Sequence, residues 1–207
     1  MSKTINRPSE NELSYMPVDI TLLTMIQNSA IRDRRLFLCD EVTRESMFKI
    51  VYYMNRIKDF DDAEDISMKD RLPITIILDC YGGYVDHCLA LMSTIESFKE
   101  MGYHIVTQVN SIAHSCGFML LIMGSEKVGL RFAKTMLHQI SSGTGGEVQT
   151  QEEQLEESKA SWNLFKKLIV KNTKITMEEL DDLTKRKFNW YFDMETALKY
   201  GVITKII

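Results

Sequence analysis

Residues Ile74-Thr75-Ile76-Ile77-Leu78 follow Pro73, are apolar almost without a break, and run into the turn Asp79-Cys80-Tyr81-Gly82-Gly83. No other segment restricts the fold as much. A strand with no polar face must be covered by helices on both sides, as in a parallel sheet. The spacing then predicts a helix from about Val85 to Met101, with Leu89, Met92, Ile95 and Phe98 on one face and Gly102 in the C-cap position. The unit repeats: His104 to Val109 reads as a second buried strand and Ser111 to Met123 as a second helix. This order predicts right-handed βαβ units.

The flanks extend the pattern. Arg35 to Cys39 reads as a buried strand, and Thr43 to Ile57 as a helix on the period of Met47, Ile50, Val51, Met54 and Ile57. Asp59 to Asp70 is acidic and aperiodic, so it reads as a surface loop. Val128 to Phe132 and Thr135 to Leu137 are short strand candidates. A Gly/Ser-rich loop, Ser141 to Gly146, precedes a long amphipathic helix, Gln151 to Lys171, with Leu155, Trp162, Phe165, Leu168 and Ile169 on one face. A helix at Met194 to Tyr200, a Gly201 cap and a strand at Val202 to Ile207 end the chain. The expectation is a flexible polar arm over residues 1–17, a short helix at Val18 to Asn28, and one α/β domain over 18–207.

Composition excludes several functions. The net charge is −4, with acids and bases interspersed, so nucleic acid is not an expected partner. The longest apolar runs are far too short to span a bilayer and the N-terminus has no signal-peptide core, so a cytoplasmic location is expected and a membrane is not. Cys39, Cys80, Cys88 and Cys116 lack C-x-x-C spacing and read as small buried thiols. No metal-ligand spacing, Walker lysine or G-x-G-x-x-G exists, and no cofactor is expected.

Three segments carry candidate chemistry. Ser115, in Ala113-His114-Ser115-Cys116-Gly117, is predicted near a helix N-terminus, where unpaired N–H groups favour an oxyanion; a serine there is also an ordinary N-cap. Gly82-Gly83 follows a buried strand, where crevices form in open α/β sheets; a tight turn with positive φ explains the pair equally well. His138, in Met136-Leu137-His138-Gln139, ends a short apolar strand and is either a general base or a satisfied structural histidine.

Jointly these segments resemble the Clp protease proteolytic-subunit family of serine peptidases. The matching residues are Gly82-Gly83, Ala113 to Gly117, Met136 to Gln139, Ser142 to Gly146 and Thr196-Ala197-Leu198-Lys199-Tyr200-Gly201, in the family's order from about Arg35 to the C-terminus. The resemblance implies an α/β spiral of βαβ units, shared with crotonases, and a protruding handle region at about 141–171. It implies Ser115 as nucleophile and His138 as general base. Gly83 and Cys116 would be the oxyanion donors, and Gly82, Tyr84, Gln139, Ile140 and Ser141 would line a polypeptide substrate. It also implies heptameric rings stacked as a tetradecamer, homomeric or mixed with a paralogue, with the arm at the axial pore and an AAA+ unfoldase (a Clp ATPase) as partner.

The chain departs from that pattern in three places. Tyr81 and Ile140 stand where the family carries proline, and the triad acid falls on Asn189, with Asp193 as a less direct candidate. An asparagine can orient a histidine through its carbonyl oxygen but supplies no charge. The expected function is therefore a serine endopeptidase subunit of a compartmental, ATP-dependent Clp-type protease, cleaving unfolded polypeptides with reduced or partner-stimulated activity. The alternatives are a catalytically weak or inactive regulatory ring subunit and a crotonase-like acyl-CoA enzyme, the latter disfavoured by the Ser115–His138 pair.

Overall fold

The computed structural model describes residues 30–207 except 142 and 144. The arm expected over 1–17 and the helix predicted over 18–28 lie outside them. The sheet is built on β2 (Ile74–Gly83), whose Ile74, Ile76, Ile77 and Leu78 are essentially inaccessible, as a strand without a polar face requires. β2 pairs in parallel with β1 (Arg35–Val42) on one side and β3 (Ile105–His114) on the other.

β3 forks. Its first half, Val106 to Val109, pairs in parallel with β4 (Glu126–Gly129), which in turn carries β7 (Lys205–Ile206). Its second half, Ile112 to His114, pairs in parallel with β5 (Lys134–Leu137), and β5 carries an antiparallel strand, β6 (Trp190–Asp193). The molecule is thus α/β with a mostly parallel sheet of seven strands among the described residues. The fork brings the carboxyl ends of β2, β3 and β5 together.

Six α-helices lie wholly among the described residues and accompany the sheet. α1 (Arg44–Ala63) starts at a capping box, in which the Thr43 hydroxyl accepts from the Ser46 N–H and the Ser46 hydroxyl accepts from the Thr43 N–H. α2 (Val85–Glu100) buries Cys88, Leu91, Met92, Ile95 and Phe98. α3 (Cys116–Leu121) is short and buried throughout, while α5 (Met177–Arg186) and α6 (Met194–Lys199) lie near the C-terminus. α4 (Val148–Asn172) is the longest helix. Its buried residues, Ser161, Trp162, Phe165 and Ile169, all lie in its second half, and its first half stands largely in solvent. Leu155, expected on the buried face, is 47% exposed.

The second half of α4 is fastened by two elements, α5 and β4. The Trp162 indole donates to the Thr184 hydroxyl at 2.8 Å, Lys166 pairs with Asp181 at 2.8 Å, and Lys127 donates to the carbonyls of Asn172 (2.6 Å) and Gly201 (2.7 Å). Lys127 is buried and its ammonium meets the carbonyl end of α4, where a cation is favoured.

Four sequence expectations need correction. Asp59 to Asp70 is not simply a surface loop: α1 continues to Ala63, and Asp61 extends the buried period of Ile50, Met54 and Ile57. Its fully buried carboxylate is paired with Arg34, which also donates to the Leu72 carbonyl at 3.2 Å, and it accepts from the Tyr103 hydroxyl at 3.3 Å. Ser111 to Met123 is not one helix, because β3 runs to His114 to meet β5 before α3 begins. Arg35 to Cys39 is covered on one face only, so Phe37 and Cys39 face outward while Leu36 and Leu38 are buried. Cys39 is consequently not a buried thiol. No helix among the described residues is long and apolar enough to cross a membrane.

Candidate active site

Ser115 occupies the sharp turn between β3 and α3 with φ 54° and ψ −116°. A non-glycine residue held there costs roughly 1–3 kcal/mol, so the surroundings must impose it. They do so from both sides: the Ser115 N–H donates to the Met136 carbonyl at 2.9 Å, and the Ser115 carbonyl accepts from Met119 at 3.2 Å. Ser115 stands at the N-cap of α3, yet its hydroxyl makes no capping hydrogen bond. The bland alternative, a serine present to cap a helix, is thereby removed. A strained strand-to-helix turn of this kind presents its hydroxyl at the end of the sheet.

The paired glycines are needed for close approach. A Cβ on Gly82 (φ 123°) would lie 2.8 Å from the Ser115 Cβ, and one on Gly83 (φ 141°) would lie 2.5 Å from the Val42 carbonyl oxygen. Gly82 therefore makes room for the serine and Gly83 for the backbone of β1. The Cys116 thiol reaches the Gly83 carbonyl at 3.3 Å, which ties this turn to the first residue of α3.

A cavity of about 170 Å³ opens beside Ser115 and is also lined by His138, Gly83, Cys116, Ile140 and Ser141. Its apolar wall comes from Val85, Met119, Leu137 and Phe165. His138 follows β5 directly, and β5 is bonded to the end of β3, so the fork that positions the serine also positions the imidazole. No hydrogen bond joins Ser115 and His138, although both line the same cavity. Burial lowers the His138 pKa below its ordinary value, leaving the ring neutral at pH 7.

The register of β5 and β6 runs from Lys134 opposite Asp193 to Leu137 opposite Trp190. The ladder ends there; His138 and Asn189 are the next residue on each strand beyond its last pair. Asn189 is exposed and does not hydrogen-bond His138. Asp193 faces Lys134, four residues down the ladder or roughly 13 Å from that level. Its carboxylate accepts from the Thr196 N–H at 2.8 Å as the cap of α6, which lowers its pKa.

Of the other sequence candidates, Gly82 underlies Ser115 without lining the cavity. Tyr84 is 64% exposed at the N-cap of α2, and Gln139 is half-buried between His138 and Ile140. His114 turns away from the cavity: its ring sits edge-on to Tyr81 (6.3 Å) and Tyr191 (5.9 Å), with a buried Nε2 that finds no partner. Burial, and then the neighbouring charge of His138, lower its pKa. Beneath the turn, burial pushes the Cys80 thiol up to about 12; Cys88 is also raised, first by its hydrogen bond to Cys116. That same bond is the main cause lowering the Cys116 thiol. No group of three or more His, Cys, Asp or Glu side chains among the described residues could hold a metal ion.

The Clp protease family model matches residues 21–207. The chain belongs to the Clp protease family. It is similar to the ATP-dependent Clp protease proteolytic subunit 2 of Corynebacterium efficiens, 29% identical over 182 residues that cover 86% of this chain and 83% of the relative. Proteolytic subunit 2 of Treponema pallidum is 24% identical over the same shares, and chloroplastic proteolytic subunit 6 of Arabidopsis thaliana is 24% identical over 180 residues, 85% of this chain and 61% of the relative.

Within this Clp-type site, the apolar wall is what sequence reasoning missed. Phe165 was expected on the buried face of α4 and Met119 inside an apolar helix, but periodicity does not separate a residue that packs from one that borders a void. Val85 and Leu137 could have been suspected only from their places next to the Gly82-Gly83 turn and His138.

Proposed function

We propose that the chain is a serine endopeptidase subunit of a Clp-type protease, with Ser115 as nucleophile and His138 as general base. One observation carries the reading: Ser115 sits in a strained strand-to-helix turn, its hydroxyl not used as a helix cap, on a cavity shared with a neutral imidazole. In this chemistry the Ser115 Oγ attacks the scissile carbonyl while its proton passes to His138. The oxyanion is met by the N–H groups of Gly83 and Cys116, the latter free because the first residue of a helix has no intrahelical acceptor. His138 then gives its proton to the departing amine, and water, deprotonated by the same imidazole, releases the acyl group. Gly82 to Tyr84 on one side and Gln139 to Ser141 on the other flank an extended peptide, which would pair as an added strand.

Asn189 is the residue proposed to orient His138, on the strength of its position just beyond the last pair of the β5–β6 ladder. Because it makes no hydrogen bond to His138, the lone subunit is expected to be slow and to gain activity when assembly orders this face. The assembly is proposed to be heptameric rings joined through α4 as a tetradecamer, homomeric or mixed with a paralogue, in the cytoplasm and fed by an AAA+ unfoldase. Leu155 and Val148, exposed on the standing half of α4, suit such a contact. The same uncommitted Asn189 favours a second reading, a catalytically weak ring subunit that supports an active paralogue.

Labelling with a fluorophosphonate and hydrolysis of fluorogenic peptides decide between them. The peptidase reading expects slow labelling and hydrolysis that rise on assembly and vanish in Ser115→Ala. Hydrolysis that survives Ser115→Ala refutes it, and the absence of labelling in every assembly state supports the regulatory reading.

A further inference from the structure

Beyond Ile140 the candidate cleft continues into a second cavity of about 180 Å³, which shares Val85, Ile140 and Ser141 with the first. Its remaining walls differ in character. They include Asp86 from α2 and Glu157 and Ser161 from α4, and no lysine or arginine. Neither carboxylate has an ion-pair partner among the described residues, whereas the adjacent Glu156 is paired with Lys159 at 2.7 Å. Ser161 is only 9% exposed, and its hydroxyl makes no hydrogen bond within the described chain. Ser158, one turn away, bonds back to the Gln154 carbonyl at 2.9 Å, so helical geometry at this place does not forbid the bond that Ser161 lacks. The Ser161 hydroxyl, open to the cavity and without a partner in the described chain, can accept a hydrogen bond, and the two uncompensated carboxylates beside it favour a donor with positive charge.

We infer that this second cavity is a subsite for a basic side chain, lysine or arginine, of the peptide whose apolar residue fills the cavity at Ser115. The inference rests on the peptidase reading and names its substrate class. In an extended peptide, residues two apart point to the same side and lie about 6.6–6.8 Å apart, which suits adjacent cavities sharing three lining residues. Glu157 carries more of the attraction than Asp86. Asp86 lies in the first turn of α2, where the positive helix end offsets part of its charge, and Glu157 is in mid-helix.

The test uses the full chain in its assembled form and a set of fluorogenic peptides. An apolar anchor is held constant, and arginine, alanine or glutamate is placed two residues to either side. The expected result, at one of the two positions, is a kcat/KM for arginine at least about tenfold above that for glutamate, shrinking with added salt. The ratio should fall to within about twofold in Asp86→Asn with Glu157→Gln, with the greater share of that fall coming from Glu157→Gln alone. Equal rates for the arginine and glutamate peptides overturn the subsite, as does a preference that survives both substitutions. If nothing is cleaved, fluorescence anisotropy of the same labelled peptides still decides. Preferential binding of the arginine peptide, lost in the double variant, keeps the subsite and ends the peptidase reading; equal or absent binding overturns the subsite.

Discussion

Gly82→Ala tests the packing on which the candidate site depends. The added Cβ would stand 2.8 Å from the Ser115 Cβ and 3.3 Å from its Oγ, with the backbone at φ 123°. Ordinary carbon–carbon contact is about 3.5–4.0 Å, so the serine or the turn must yield by about 1 Å. Positive φ on a residue with a Cβ costs roughly 1–3 kcal/mol, and overpacking typically another 1–3 kcal/mol. If the turn holds, the loss of about 2–6 kcal/mol lowers Tm by roughly 5–20 °C at fixed protein concentration. If the serine moves instead, a misplacement of about 1 Å slows its acylation about 100-fold, and only the positive-φ cost remains, lowering Tm by roughly 2–10 °C. Thermal unfolding and fluorophosphonate labelling, measured on the same preparation, distinguish the two routes. A variant that melts and labels like the parent would refute the contact between Gly82 and Ser115.

Four further outcomes follow from the same structure. Asp61→Asn removes the countercharge of buried Arg34 and should cost about 3–5 kcal/mol in denaturant unfolding; a loss under about 1 kcal/mol would show that the pair is not desolvated. Because burial lowers the His138 pKa, Ser115 labelling should rise with pH to a half-maximum below the ordinary histidine value of about 6.5, and a midpoint at or above it contradicts the assignment. The folded-state pKa values of His114 and His138 are both depressed, so stability is full above about 6.5 and falls as pH drops from there toward those values. If Asn189 orients His138 as proposed, Asn189→Asp supplies the missing charge; labelling at pH 7 should accelerate at least about tenfold and its pH limb move upward, and no change in either would remove Asn189 from the site.

The sheet was legible where residues had a single solution. Ile74 to Leu78 could only be a strand buried on both faces, and Val85 to Met101 only the helix that covers it. Legibility ended where a short apolar run suited two periods. Apolar spacing places Ile112 to His114 in a helix from Ser111 to Met123, because what makes it a strand is its pairing with Lys134 to Met136, distant in sequence. β6 was missed for the same reason, since Trp190 to Asp193 is a strand only against β5. Asp61 was lost to composition: an acidic stretch suggested solvent, and the buried period that includes it acquires meaning only once Arg34 is across from it. Motifs single out Ser115, His138, Gly83, Cys116, Ile140 and Ser141, but not the cavity these six line, because a void has no residue of its own in the chain.

The fork in β3 explains why one short region can serve both fold and chemistry. A strand that stays with one partner along its whole length ends inside the sheet's regular edge. β3 leaves β4 after Val109 and takes up β5 from Ile112, so its last residues bend away with β5 and end beside the turn of β2. That bend makes Met136 available to the Ser115 N–H and requires a residue without a side chain at Gly82. The positive φ of Ser115 is thus set by the hydrogen bond to β5 and by the packing of the glycine turn. Loosening either contact should relax the serine toward ordinary backbone geometry before it unfolds the core, because the inner halves of β2 and β3 are paired independently of the fork.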